Sequence, residues 1–241
     1  TIPTEELIDK INKGGIPTSS QPIIGEKIEL YDKYAKDDEV IDITIAAGLS
    51  GTYDTALMAK GSCEHGDKVS VFNSMTLCGP QRALVDEALK MAKEGKSKDE
   101  ILTMLEKSAK SDVSFLIPMD FEFLKRGGRV SKTVGSIGSL LKLIICLKKS
   151  DDGRCLEKHS INRTIKGAVE SMIKELKNKG VDDSYIFSIS HALNEELAAK
   201  FKEALLKAFP NAKVNIFTLS PVFTTQGGPK CCALQAIKII R

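Results

Sequence analysis

The chain has 241 residues, 42% apolar and 28% charged, the balance of an ordinary globular protein with length for one large domain or two small ones. A formal net charge of +3, with no basic stripe interleaved with aromatics, argues against nucleic acid as a partner. The longest apolar stretch, Ser139 to Leu147, is broken by Lys142 and falls far short of a membrane span, so stable membrane insertion is not expected.

In chain order, Thr4 to Lys13 reads as a short helix capped by Thr4 and stopped by Gly14-Gly15. Ile16 to Pro22 carries two prolines and three hydroxyl residues and reads as a loop. Glu26 to Ala35 returns to a helical period. The β-branched run Ile41 to Ala47 reads as a buried strand, and Thr52 to Lys60 as the helix that follows it. Ser50, Gly51 and Thr52 then sit at a strand-to-helix turn, where helix N–H groups and the positive dipole end suit an anion. The same residues also suit plain helix capping. Lys68 to Asn73 is a second strand, followed through Ser74–Gly79 by helices over Pro80 to Glu94 and Asp99 to Ala109. This alternation predicts a parallel sheet with helices on both faces.

Beyond Ser111 the pattern changes. Val113 to Pro118 reads as a strand, and Phe121 to Val130 as a short helix stopped by Gly127-Gly128. Thr133 to Leu143 reads as a Gly/Ser-interrupted apolar helix. Ile144–Leu147 and Cys155–Ile161 flank Ser150-Asp151-Asp152-Gly153 as a hairpin. Helices over Asn162–Lys179 and Asn194–Ala208 alternate with strands over Tyr185–Ser190, ending at His191, and Val214–Leu219. Ser220 to Pro229 reads as a loop, and Cys231 to Ile240 closes the chain. The expectation is an N-terminal α/β domain over 1–111 and a second α/β domain with a mixed sheet over 112–241.

The polar segments Ser19–Pro22, Ser50–Thr52, Ser74–Gly79 and Thr224–Pro229 offer hydroxyl and amide donors to an anion. The first three converge if they lie at the carboxyl ends of neighbouring parallel strands. No G-x-S-x-G elbow, Walker motif or G-x-G-x-x-G fingerprint is present, and His191 is the only histidine at a strand end. Six cysteines (Cys63, Cys78, Cys146, Cys155, Cys231, Cys232) form no C-x-x-C pair, and three histidines show no metal spacing. No metal and no cofactor is expected, and reduced thiols fit a cytoplasmic protein. No signal peptide is visible, and the opening Thr leads us to expect natural sequence upstream. The residues alone describe an anion-binding α/β protein with a weak case for catalysis.

Four ordered motifs give the chain a wider likeness. Ser19-Ser20-Gln21-Pro22, Leu49-Ser50-Gly51-Thr52-Tyr53, Phe123-Leu124-Lys125-Arg126-Gly127-Gly128-Arg129-Val130-Ser131, and Ser220-Pro221-Val222 with Gly228-Pro229 resemble those of the DegV family of fatty-acid-binding proteins. That family includes the FakB subunits of bacterial fatty acid kinase. The resemblance implies a two-domain DegV-like α/β fold, a parallel Rossmann-like three-layer domain followed by a smaller α/β domain with a mixed sheet. It also implies a family strand and an Asp-Ser pair ahead of Thr1. The implied ligand is a long-chain fatty acid, its tail in an apolar tunnel and its carboxylate at the domain interface. The implied partner is a separate ATP-dependent kinase that forms the acyl phosphate.

The ligand-binding residues carried over are Ser19, Ser20, Ser50, Gly51, Thr52, Gln226, Gly227 and Arg163, with no catalytic residue. Departures stand beside them. Gln226-Gly227-Gly228-Pro229-Lys230 occupies the place of the family's H-T-G-P-G, so an uncharged amide replaces a histidine. Ile144-Ile145 replaces a Lys-Pro, and Asn73 replaces an Asp. Two other functions compete with a carrier: a hydrolase or phosphoryl-transfer enzyme with Ser50 as nucleophile, and a carrier of another small anionic lipid.

Overall fold

In a computed structural model of the chain, residues 2–131, 134 and 143–241 are described. The chain divides into two compact units whose membership is not sequential. One comprises Thr1–Ser19, Asp112–Asp151 and Cys155–Lys238; the other comprises Ser20–Ser111, Asp152–Arg154 and Ile239–Arg241.

The second of these units is built on the predicted β-α alternation. Its helices and strands run α2 (Ile24–Ala35), β1 (Val40–Thr44), α3 (Thr52–Ser62), β2 (Val69–Asn73), α4 (Cys78–Lys93) and α5 (Lys98–Ala109). β1 and β2 pair in parallel, Val40 opposite Val69 through Thr44 opposite Asn73. Side chains alternate across the strand, so Val40 and Ile41 point to opposite faces of β1. Val40 packs with Tyr31, Ala35, Ala59 and Val69 under α2 and α3. Ile41 and Ile43 face Val85, Ala88 and Leu89 of α4 and Ile101 of α5 around a cleft of about 450 Å³. Ser97 and Glu100 close a reciprocal capping box that starts α5. β1 is shorter than the apolar run suggested, because Ala46 N–H turns away to the Thr76 carbonyl at 2.9 Å.

The first unit holds α1 (Thr4–Asn12), β3 (Val113–Ile117), α6 (Phe121–Gly127), β4 (Ile144–Lys149), β5 (Leu156–Asn162), α7 (Ile165–Asn178), β6 (Ile186–His191), α8 (Glu195–Ala208), β7 (Lys213–Thr218), α9 (Pro221–Gly227) and β8 (Cys232–Ile237). Its six strands are ordered β5-β4-β3-β8-β6-β7. β6 and β7 run parallel and the other neighbours antiparallel, which is the expected mixed sheet. β8 is buried along its whole length, and β6 nearly so, as befits central strands. Phe115, Phe187, Ile189 and Leu234 form one core with Met172, Leu176, Phe201 and Leu205 of α7 and α8. On β4, Cys146 joins that core and the next residue, Leu147, joins a cluster with Leu124 and Leu156.

Two expectations change. Thr4 does not cap α1: Pro3 holds the N-cap position, and the buried Thr4 hydroxyl donates to the Leu219 carbonyl at 2.8 Å. The stretch read as a loop from Ser220 contains α9, started by Pro221 at its first turn with Thr224 N–H bonded to the Ser220 carbonyl. The helix read over Thr133–Leu143 lies, apart from Val134 and Leu143, outside the described residues. Among the described residues no helix is long and apolar enough to cross a membrane.

Asp42, on the α2 side of β1, accepts hydrogen bonds from both Tyr31 and Lys27. Burial, then the Asp42 bond and charge, push the Tyr31 phenol well above the usual tyrosine range. Removing the donor with Tyr31→Phe should cost about 1–2 kcal/mol in denaturant unfolding at neutral pH. Because the folded phenol holds its proton more tightly than the unfolded one, the difference should be fully present below about pH 10 and shrink as pH rises further.

Candidate functional site

Parallel pairing brings the ends of β1 and β2 to one edge, and the turns that follow are bonded together there. Ala46–Ser50 is a tight turn in which Leu49 and Ser50 N–H both return to the Ala46 carbonyl, at 3.0 and 3.2 Å. The Asn73 side-chain oxygen accepts Ala47 N–H at 3.1 Å and Met75 N–H at 3.0 Å, tying one turn to the other. Asn73 thus does with a neutral amide what any acceptor at that place would do.

Ser50 Oγ lies 2.8 Å from Thr52 Oγ1 and accepts Thr52 N–H at 3.3 Å. Gly51, rather than either hydroxyl residue, holds the N-cap position of α3. The amides of Tyr53 and Asp54 lie in the first turn, where N–H groups have no intrahelical acceptor. The result is a half-buried pair of hydroxyls beside the positive end of a helix. A residue quoted in the Ser19–Pro22 motif but not carried over as a ligand-binding residue completes the turn. Gln21 covers Gly51 so closely that a Cβ there would stand 2.1 Å from Gln21 Oε1, and Thr55 Oγ1 donates to the same oxygen at 3.0 Å.

The β4–β5 hairpin tip, Asp152–Arg154, also belongs to this unit. A Cβ on Gly48 would stand 2.2 Å from Arg154 Cα, and one on Gly153 would stand 3.0 Å from the Met75 carbonyl. Gly153 has φ +69°, a left-handed conformation suited to glycine. The hairpin was legible in the sequence; its seat on the Ser50 and Ser74 turns was not, because close approach at Gly48 is a fact of packing.

In the mixed-sheet unit, Ser19 and Gln226 meet: Gln226 Nε2 donates to Ser19 Oγ at 2.8 Å. Gln226 Oε1 lies against Gly127, where a Cβ would stand 2.2 Å away. Gly227 is buried with Cys231 Sγ filling the place of its side chain, and Gly228, at φ +80°, lies on the Phe123 ring. The Arg126 guanidinium lies 4.6 Å from the centre of that ring. The Gly127-Gly128 pair therefore has two duties. Gly127 admits the Gln226 amide, and Gly128, at φ +67°, ends α6.

Other candidates are not gathered into these clusters. Ser20 is exposed, and Arg163 is exposed just ahead of α7, whose cap is Thr164. His191 is buried, and its Nδ1 accepts Asn194 N–H at 3.1 Å at the start of α8. Ser74 Oγ bonds within its own turn, to Thr76. All six cysteines are free thiols; burial pushes Cys146 and Cys231 up to about 12 and Cys232 higher still. Among the described residues no group of three or more His, Cys, Asp or Glu could hold a metal ion.

The model of the DegV family, described as an uncharacterised protein family, matches residues 1–238. The chain belongs to the DegV family. A DegV domain-containing protein of Staphylococcus aureus (strain N315) is 32% identical over 240 residues, covering 98% of this chain and 84% of the relative. The crystal structure of DegV from Bacillus subtilis, named as a fatty acid binding protein, aligns with a TM-score of 0.83 and 27% identity over 98% of this chain and 84% of its own. A DegV lipid binding protein from Thermotoga maritima aligns with a TM-score of 0.85 and 25% identity over 99% of this chain and 83% of its own. The DegV fold is thus shared across nearly the whole of the present chain.

Two outcomes follow from these contacts. Asn73→Ala strands two backbone N–H groups and should cost about 1–3 kcal/mol by denaturant unfolding, whereas Asn73→Asp keeps an acceptor and should cost less. Iodoacetamide applied to the folded protein at pH 8 should spare Cys146, Cys231 and Cys232, read by peptide mass spectrometry, since their buried thiols stay protonated.

Proposed function

We propose that this DegV protein binds one long-chain fatty acid and presents its carboxylate to a separate ATP-dependent kinase, catalysing nothing itself. The observation that carries the reading is the Ser50–Thr52 hydroxyl pair at the start of α3, at the carboxyl edge of two parallel strands. Hydroxyl and amide donors at a helix N-terminus suit a single carboxylate. Among the described residues Ser50 Oγ bonds to the Thr52 hydroxyl and N–H and not to a histidine or carboxylate, so its surroundings favour donation to an anion over nucleophilic attack. The solved DegV relatives named for fatty-acid and lipid binding point the same way.

The proposed contacts are Ser50, Gly51 and Thr52, together with Ser19, Ser20, Gln226, Gly227 and Arg163. Gln226 brings hydrogen bonding without charge, and its Nε2 already serves Ser19, leaving the Ser19 hydroxyl proton for a ligand. An aliphatic interior would receive the acyl tail. A cytoplasmic setting accords with six free thiols.

Native mass spectrometry of the purified protein, followed by denaturing extraction, should release a stoichiometric fatty acid. Ser50→Ala should lose most of it while keeping the wild-type circular dichroism spectrum. A Ser50→Ala variant with a full complement of lipid would remove Ser50 from the site, and a wild-type protein that stays empty when offered fatty acids would overturn the reading.

A further inference from the structure

Two glycines interlock beside Ser50. Leu49 and Ser50 N–H both close on the Ala46 carbonyl, so Gly48 stands inside the loop that carries the Ser50 hydroxyl. Against Gly48 lies the main chain of Arg154: a Cβ on Gly48 would stand 2.2 Å from Arg154 Cα and 2.8 Å from the Arg154 carbonyl carbon and oxygen. The contact repeats in reverse one residue earlier. A Cβ on Gly153 would stand 3.0 Å from the Met75 carbonyl oxygen and 3.4 Å from Met75 Cα, in the turn after β2. The hairpin tip and both turns belong to one unit.

Both partners in this contact are held by bonds of their own. Met75 has φ +53°, a conformation uncommon for any residue but glycine, and its N–H is held by Asn73 Oδ1 at 3.0 Å. The same oxygen takes Ala47 N–H, next to Gly48. On the hairpin, Ser150 N–H bonds to the Cys155 carbonyl at 2.9 Å and Cys155 N–H to Ser150 Oγ at 3.1 Å. Asp152 Oδ1 accepts Arg154 N–H at 3.0 Å. At the hairpin base Lys149 Nζ lies 3.4 Å from Asp112 Oδ2, both side chains buried. Main chain meets main chain, so no side chain can swing aside to absorb a shift. Whatever displaces the tip displaces Gly48, and with it Ser50 two residues on.

We propose that the tip of the β4–β5 hairpin positions the carboxylate-holding turn, with Gly48 and Gly153 as positioning residues that set where the Ser50 hydroxyl stands. This rests on the fatty-acid reading above and adds to it a second segment of chain on which headgroup affinity depends. Coupling between two places in a protein is reciprocal. A carboxylate that fixes Ser50 therefore also fixes the hairpin tip, and loosening the tip weakens the hold on the carboxylate.

The test uses the full chain as wild type, Gly48→Ala, Gly153→Ala and Gly95→Ala. Gly95, at φ +75° in the same unit, has nothing within 4 Å of its Cβ position, so Gly95→Ala carries the backbone strain of Gly153→Ala without the contact. Palmitate affinity is measured beside amide hydrogen exchange in peptides spanning 46–52 and 150–155, with circular dichroism to check the fold. Gly48→Ala and Gly153→Ala should each weaken palmitate about tenfold, the worth of one hydrogen bond to a charged group, and speed exchange in both peptides. Gly95→Ala should leave affinity and both peptides as in wild type. Palmitate added to wild type should slow exchange at 150–155 as well as at 46–52. Unchanged affinity in the contact variants would overturn the proposal, as would faster exchange confined to the substituted segment. Equal loss of affinity in Gly95→Ala would assign the effect to general destabilisation and overturn it too. Gly153→Ala, whose contact is the looser, decides the matter if Gly48→Ala does not fold. A wild type that takes up no palmitate would overturn the fatty-acid reading itself, and this inference with it.

Discussion

Parallel pairing of β1 with β2 is the constraint on which the Ser50 region depends. Two strands running the same way must release their chains at the same edge, so the turns before α3 and α4 compete for space and for hydrogen-bond partners. Ala46 N–H finds the Thr76 carbonyl, and the Asn73 amide oxygen takes Ala47 and Met75. With those groups satisfied internally, the hydroxyls of Ser50 and Thr52 are left to each other. An orphaned N–H at this place would cost more than either hydroxyl gains, so the order of priority is backbone first and site second.

Glycine does related work in both units, by absence rather than by flexibility. Gly48 admits the Arg154 backbone, Gly51 admits the Gln21 amide, and Gly127 admits the Gln226 amide. Each is a place where another part of the chain approaches as closely as a backbone allows. The consequences differ in cost. At Gly51 and Gly127 the intruder is the end of a flexible side chain, which can swing aside. At Gly48 it is main chain, which cannot.

Much of this architecture was legible in the sequence because its signals are local. β-branched runs marked β1 and β2, the Gly127-Gly128 stop marked α6, and Ser150–Gly153 marked the hairpin. The mixed sheet followed from a hairpin set among alternating helices. What failed was also physical in origin. Thr4 has the composition of a cap, yet a carbonyl from Leu219, far along the chain, claimed its hydroxyl. Thr224-Thr225-Gln226-Gly227 has weak helical propensity, yet Pro221 at the first turn and burial of Thr224 and Thr225 carry α9. Ser50, Ser19 and Gln226 were named from motif and helix-end chemistry, but the bond between Ser19 and Gln226 was not. Nor was the seating of Gln21 on Gly51 or of the Arg154 backbone on Gly48, because nothing in a sequence says which glycine will be covered, or by what.

The division of the chain has a consequence for its biogenesis. Ile239–Arg241 belongs to the unit that begins at Ser20, with Ile240 N–H bonded to Ser108 Oγ and Arg241 paired with Glu87 and Glu94. The hairpin tip that seats on Gly48 comes from the middle of the other unit's strands. A ribosome that has finished Ser111 has therefore made most of one unit without being able to complete it. Nascent chains would have to wait, partly assembled, until Asp152–Arg154 and Ile239–Arg241 emerge. Neither unit is one continuous run of the sequence, so a fragment cut at any single point should fail to fold as a complete unit.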